Sequence, residues 1–193
     1  MASSSREQGY RGGTIVERLT VMDYLKKPES MRPTELVYGF VREPPAPRYG
    51  HQSLLTHLGA LLDLHVRERQ LGQVCVSPVD IVLDEAAGLV VQPDLVFVGR
   101  ERLAFVRDRV FGPPDLAIEI LSPGTAKRDR TTKLGWYRQY GVRECWLVDA
   151  VKHALEVFEL QAGAETRQTF ADAAILRSVV LPEWAIPVRE IFD

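Results

Sequence analysis

The stretch Val91–Tyr140 constrains the fold of this chain more than any other. It runs Val91-Val-Gln-Pro-Asp-Leu-Val-Phe-Val98, crosses a polar interval, and resumes as Pro114-Asp-Leu-Ala-Ile-Glu-Ile-Leu121. The turn Ser122-Pro-Gly-Thr125 follows, then a charged helical stretch carrying Lys127, Arg128, Asp129, Arg130 and Lys133. Each apolar run reads as a core strand, and each holds one carboxylate, Asp94 or Glu119. A buried carboxylate without a partner is strongly disfavoured. Two of them in neighbouring core strands point to a shared cation.

The rest of the chain reads as the scaffold around that pair. Thr20-Val-Met-Asp23 has the pattern of a capping box opening a short helix through about Leu25. Glu35–Arg42 alternates as a strand, and Pro44, Pro45 and Pro47 then break the chain. Tyr49–Gln70 is the clearest helix, with Leu54, Leu55, Leu58, Leu61, Leu62 and Val66 at helical spacing and Gly72 as a stop. Val74–Val76 and Val79–Leu83 read as strands. Leu89–Val98 reads as one long strand that pairs back on Val79–Leu83. A surface helix is expected over Arg100–Arg109, a core strand over Asp115–Leu121 and a helix over Ala126–Tyr140, capped by Gly141. Arg143–Asp149 and Ala154–Leu160 follow as strands joined by a tight turn, then an edge strand over Thr166–Phe170 and a last helical turn over Pro187–Asp193. Strands in series with a strand–helix–strand unit in the middle favour one α/β domain, a mixed β-sheet flanked by helices.

Metal chemistry accounts for the two carboxylates. Mg²⁺ takes hard oxygen ligands, keeps several waters and needs only one or two protein carboxylates beside a substrate phosphate. Asp94 and Glu119 would supply those two, and the main-chain carbonyl of Ile120 a third ligand. On the helix Ala126–Tyr140 the residues Asp129, Lys133, Tyr137 and Tyr140 fall on one face by the i, i+4, i+7 rule. Lys133 would then point at the sheet, where an ammonium orients an attacking water or stabilises developing negative charge. A plain structural reading stands beside this one. Asp94 is then punctuation after Pro93, Glu119 has a single core partner, and Lys133 is a surface lysine lying along its own stem.

Other signals are weaker. Ser122-Pro-Gly-Thr125 lies between a strand and a helix N-terminus, where either phosphate contact or plain capping fits. It lacks the spacing of a nucleotide-binding P-loop. His51 opens the long helix, where it is either structural or close to phosphate or metal. The charges in Arg100–Arg109 and Lys127–Lys133 follow a nucleic-acid backbone or form solvated, ion-paired faces. Asp80 and Asp115 read as turn or ion-pair residues.

Gln92-Pro93-Asp94, Ile118-Glu119-Ile120-Leu121-Ser122-Pro123, then Asp129, Lys133, Tyr137 and Gly141-Val142, together resemble the Uma-type restriction endonuclease family, a bacterial branch of the PD-(D/E)xK nuclease superfamily. The likeness extends through Arg143–Asp149 and upstream to Glu35-Leu36, Gly39, His51 and Ser77–Asp80, covering nearly all of the chain from about Thr20. It implies the restriction-endonuclease-like fold and divalent-metal phosphodiester cleavage of DNA, with Mg²⁺ or Mn²⁺ as cofactor. Asp94 and Glu119 are carried over as the acidic motif residues. The superfamily's usual lysine position, two residues after the acid, holds Leu121; in the Uma-type branch the lysine sits on the following helix, which fits Lys133. Glu35 matches an upstream glutamate that joins such sites. The family's aspartate before the next glycine is Tyr38 here. Duplex cleavage implies a homodimer. The alternative is a catalytically inactive nuclease-fold module that binds nucleic acid or a protein partner, for which Tyr38, Leu121 and the mild acidity argue.

Composition sets the outer limits. The 193 residues suit one domain, and 46% apolar residues suffice for a core. No apolar run approaches the ~20 residues of a membrane helix. Met1–Gly13 is polar, reads as a disordered tail rather than a secretory signal, and leaves residues 14–193 as the nuclease domain, in the cytoplasm. Cys75 and Cys145 lie in apolar runs without CxxC spacing and read as buried thiols, with neither a disulfide nor a zinc site. A net charge of -2 excludes a protein that coats nucleic acid by bulk charge, but not a local basic groove.

Overall fold

The computed structural model describes residues 8–11, 14–28, 32–161 and 164–193. In chain order it forms β1 (Gln8–Arg11), β2 (Thr14–Glu17), α1 (Val21–Leu25), β3 (Glu35–Val37), β4 (Phe40–Arg42), α2 (Tyr49–Glu68), β5 (Gly72–Val76), β6 (Ile81–Asp84) and β7 (Leu89–Val91). Next come β8 (Leu95–Gly99), a 3₁₀ turn over Arg100–Phe105, β9 (Val110–Phe111) and β10 (Leu116–Ile120). A helical segment follows as α3 (Ala126–Arg128), a π turn (Asp129–Lys133) and α4 (Leu134–Tyr140). The chain closes with β11 (Glu144–Asp149), β12 (Ala154–Gln161), β13 (Ala164–Ala171), β14 (Ile175–Arg177), β15 (Ala185–Pro187) and α5 (Arg189–Phe192).

The mixed sheet has six strands in the order β13-β12-β11-β10-β8-β5, and a second sheet has the order β4-β3-β7-β6-β9. β10 and β11 run parallel, because the intervening helical segment carries the chain back across the sheet. β8 runs antiparallel to β10 with Leu95 opposite Ile118. Side-chain alternation sorts the core cleanly. Leu95, Phe97, Leu116, Ile118, Ile120, Trp146 and Val148 pack with α2 on one face. Val96, Val98, Ala117, Leu121, Cys145 and Leu147 pack with Leu134, Trp136 and Tyr137 of α4 on the other. By parity Asp94 and Glu119 both belong to this second face. One step beyond the Leu95–Ile118 pair, the same register sets them opposite each other.

Several expectations change here. The run Leu89–Val98 is not one strand. It breaks at Gln92-Pro93-Asp94, so β7 stays with β6 in the second sheet while β8 joins β10 and β5 in the first. Pro93 has no N–H for a ladder, which is why the switch falls there. Glu35–Arg42 is a hairpin rather than a single strand, turning at Tyr38 (φ 50) and Gly39 (φ 87). Cys75 is exposed because β5 is the free edge of its sheet; Cys145 is buried, and both are free thiols. Arg100–Arg109 holds only a short 3₁₀ turn, Arg100–Phe105, and its arginines are engaged in structure. Arg102 pairs with Asp115 (3.4 Å) and Arg109 with Asp80 (3.1 Å). In the stretch expected as a tail, residues 8–11 pair with β2; residues 1–7 and 12–13 lie outside the described residues. The capping box at Thr20 forms as expected, with Asp23 N–H donating to Thr20 Oγ1 at 3.1 Å. No described helix is long and apolar enough to cross a membrane.

Candidate active site

The site lies where the two sheets part. The break at Gln92–Asp94 leaves Asp94 at the mouth of β8, and Glu119 is the penultimate residue of β10, buried on both sides by apolar neighbours. Lys133 arrives from the helical segment. A regular α-helix advances 3.6 residues per turn; the π turn over Asp129–Lys133 widens that turn and buries both of its end residues against the sheet. Tyr137 follows on the same side, whereas Tyr140, expected on that face, is only half buried.

Lys133 Nζ lies 2.6 Å from Glu119 Oε1 and 3.3 Å from Glu35 Oε1, and it donates to the Gln92 carbonyl at 3.4 Å. Tyr137 donates its hydroxyl to the same Glu119 Oε1. Lys133 (4% exposed), Glu119 (3%), Glu35 (2%) and Asp129 (3%) are all withdrawn from water. Groups this buried persist as ions only when paired, so the surface-lysine reading of Lys133 fails. Asp94 accepts the Ile120 N–H at 2.7 Å and lies 3.2 Å from His51 Nε2, both through Oδ2.

Glu35 is enclosed by cations. Its Oε2 is 2.7 Å from Arg128 Nη2 and 3.3 Å from Arg42 Nη1, which faces it across the β3–β4 hairpin. Arg128 also stacks over Trp136, at 5.1 Å from the ring centroid. Trp136 in turn donates to the Tyr38 hydroxyl at 2.9 Å. Tyr38, which stands where the resembled family carries an aspartate, therefore buttresses the wall rather than adding a carboxylate.

The electrostatics follow from burial and crowding. Burial raises the Glu119 carboxyl, Lys133 offsets part of that, and the charges of Asp129 and Asp94 add to it; the group is pushed up to about 8. Burial also raises Asp129, against the pull of Lys133 and a hydrogen bond from Thr125. For Lys133 burial works the other way, but Glu119, Glu35 and Asp129 outweigh it and hold the ammonium charged, raised above its ordinary value. Burial would raise Glu35, yet Lys133, Arg128 and Arg42 win and its carboxyl is lowered. Burial lowers His51, but the Asp94 carboxylate and the Ile120 main chain bring it above its ordinary value.

The charges of Asp94 and Asp129 thus bear on Glu119, while Glu119, Glu35 and Asp129 surround the Lys133 ammonium. Both protein contacts of Glu119 fall on Oε1; among the described residues Oε2 has no hydrogen-bond or ion-pair partner. This donor set fits a hard divalent cation. Among the described residues no three His, Cys, Asp or Glu side chains are placed to hold a metal ion together; a Mg²⁺-type ion asks for only one or two carboxylates. A cleft of about 740 Å³ opens beside the site, lined by Tyr24, Lys27, Arg32, Asp80, Gln92 and Arg109 among others. It meets the chemistry only through Gln92, and neither Asp94, Glu119 nor Lys133 lines it.

The comparisons with known proteins bear on this geometry. The family described as "Putative restriction endonuclease", Uma2, matches residues 21–189. The chain belongs to the Uma2 family. The crystal structure of a protein described as "a putative nuclease belonging to DUF820", from Anabaena variabilis, aligns with a TM-score of 0.76 at 18% identity, over 90% of this chain and 97% of that one. At that identity the likeness establishes the fold, a restriction-endonuclease-like domain of mixed sheets flanked by helices. No curated protein matches the chain.

The sequence singled out Asp94, Glu119, Lys133, Glu35 and Ile120, and the structure brings all five to one place. Asp129 and Arg128 were missed as parts of it. The Asp-x-x-x-Lys spacing was the available signal for Asp129, since i and i+4 share a helix face. Arg128 and Gln92 had no such signal, because they act only through the return of the chain from another sheet. Ser122 and Thr125 contact each other through their hydroxyls at 3.0 Å, and Thr125 makes no side-chain cap to the helix that follows.

Proposed function

We propose that this chain is a divalent-metal-dependent endonuclease that hydrolyses DNA phosphodiester bonds. The observation that supports it most is the buried Lys133 ammonium fixed between Glu119 and Glu35, with Asp94 one strand away on the same face. Asp94 and Glu119 would hold Mg²⁺ or Mn²⁺, with the Ile120 carbonyl as a further ligand. When bound, such an ion supplies a water of lowered pKa and stabilises charge on the phosphate.

The chain's own residues do the rest. Tyr137 fixes the rotamer of Glu119 by donating to Oε1, which would leave Oε2 for the cation. The Ile120 N–H fixes Asp94 in the same way. Lys133 holds positive charge beside the reacting phosphate, where a preorganised donor works best in a water-poor setting. Glu35 takes no part in bond making on this reading. It anchors Lys133 and Arg128, and is a positioning residue.

Cleavage of supercoiled plasmid with Mg²⁺ or Mn²⁺ tests the proposal. The wild type should cut, and Asp94→Ala and Glu119→Ala should each lose at least about a hundredfold in rate, the scale at which removing one electrostatic stabiliser is felt. A homodimer, which the reading includes, should linearise plasmid in one encounter; a monomer should leave nicked circles first. Wild-type cleavage retained by both variants would refute the site. Tight DNA binding without any cleavage would favour the inactive binding module instead.

A further inference from the structure

The cleft of about 740 Å³ beside the site has no part in the mechanism above. Its volume lies within the roughly 300–1,000 Å³ of small-molecule sites. Its polar lining is gathered from separate elements around Asp80. Asp80 Oδ1 accepts from Gln92 Nε2 at 2.9 Å and from the Tyr24 hydroxyl at 3.1 Å, and its Oδ2 lies 3.1 Å from Arg109 Nε. The charge of Asp80 is therefore met within the protein. The Thr34 N–H donates to Gln92 Oε1 at 2.9 Å. A backbone N–H can only donate, so the Gln92 amide nitrogen must face Asp80, and among the described residues one of its two hydrogens is left without an acceptor. Gln92 also joins the cleft to the chemistry, because its main-chain carbonyl accepts from Lys133. The apolar lining is Leu25, Pro28, Pro78 and Val79. The charged lining is balanced, with Lys27, Arg32 and Arg109 against Glu43, Asp80 and Asp108.

We propose that this cleft receives a nucleotide of the substrate strand, turned out of the base stack beside the scissile phosphate. This rests on the nuclease reading of the preceding section. The lining selects a base over the backbone. A groove that tracks phosphates is lined by cations, whereas here the two signs balance, and a free di- or triphosphate is disfavoured on the same ground. Apolar side chains with a few placed polar groups suit a flat ring whose faces are apolar and whose edges donate and accept. Chain length sets the position of that nucleotide. Gln92 is two residues before Asp94, and two residues of chain span at most about 7 Å. A stacked strand advances about 3.4 Å per nucleotide, so the cleft begins within about two nucleotides of Asp94. A paired, stacked base cannot enter it without leaving the stack, and a mismatched or unpaired base leaves most easily. The substrate favoured by such a cleft is DNA with a mispaired or unpaired base next to the cut.

Oligonucleotide duplexes carrying a single mismatch test this on the wild-type protein with Mg²⁺ or Mn²⁺. Cuts should cluster within about two nucleotides of the mismatch and run at least about tenfold faster than on the matched duplex. The second readout is 2-aminopurine, whose fluorescence rises when it leaves the stack, placed in turn at each position around the mapped cut. It should brighten on binding at the positions next to the cut and stay dark further away. Val79→Trp, which narrows the cleft without altering Asp94, Glu119 or Lys133, should erase both effects; the wild-type readouts stand without it. Equal cutting of matched and mismatched duplexes, with the probe dark at every position, would overturn the proposal and leave the nuclease reading standing. A protein that neither binds nor cuts either duplex would overturn both. Deoxyadenosine monophosphate that binds in calorimetry at millimolar concentration while the probe stays dark would give the cleft to a free nucleotide and overturn the proposal as well.

Discussion

Lys133 ties the helical segment to β10 through a buried contact with Glu119, Nζ to Oε1 at 2.6 Å. Tyr137, four residues further along the same helix face, donates to the same carboxylate oxygen, so the i, i+4 spacing gathers both donors on Glu119.

Breaking this pair from one side should be costly. Lys133→Met leaves Glu119 buried with only Tyr137 as a partner and removes one of the three cations around Glu35. Loss of one member of a buried pair typically destabilises by about 3–5 kcal/mol. Adding Glu119→Gln should restore a part of that, with a coupling of about 0.5–3 kcal/mol in a double-mutant cycle. Urea unfolding of the four proteins measures it. Strictly additive effects would mean that the contact contributes nothing.

Glu35 should make the fold acid-sensitive. Its carboxyl is lowered in the folded state because Lys133, Arg128 and Arg42 outweigh burial, whereas in the unfolded chain it titrates at about 4.3. A depressed folded value means stabilisation that is fully present above the unfolded value and is lost as pH falls through the folded one. Glu35→Gln should therefore be less stable than wild type at pH 7, with the gap closing in acid. Urea midpoints measured from neutral pH down to about pH 3 check this; parallel curves would contradict it.

Metal binding should carry the titration of Glu119. With its carboxyl pushed up to about 8 by burial and by the charges of Asp129 and Asp94, much of the group is protonated at neutral pH without a cation. A ligand must be deprotonated to bind metal. Affinity for Mn²⁺ should therefore rise with pH up to about 8 and level off above it. Calorimetry in buffers of different ionisation enthalpy should detect proton release at pH 7. A flat affinity with no proton release would show that Glu119 is already ionised or is not a ligand.

Much of this was legible in the sequence, for physical reasons. The leucines of α2 repeat at helical spacing, so Leu54, Leu55, Leu58 and Leu62 declare a buried face. Asp94 and Glu119 stand out because a carboxylate inside an apolar strand needs a counterpart. The break at Gln92–Asp94 was hidden because apolar residues flank it on both sides, and continuous burial erases the period-2 signal that separates two strands. The π turn was hidden because its residues, Asp-Arg-Thr-Thr-Lys, read equally well as α-helix. Glu35 was found by resemblance, but its enclosure by three cations depends on contacts from a hairpin and a distant helix that no local pattern encodes. Cys75 was misplaced because apolar neighbours in β5 look buried when the strand's edge position is unknown.

The most direct test is an anomalous difference map from a crystal soaked in Mn²⁺ and recorded near the manganese absorption edge. The account predicts one strong peak within coordination distance of both the Asp94 and Glu119 carboxylates, absent in Asp94→Ala. A peak elsewhere, or none between these two side chains at millimolar Mn²⁺, would contradict it.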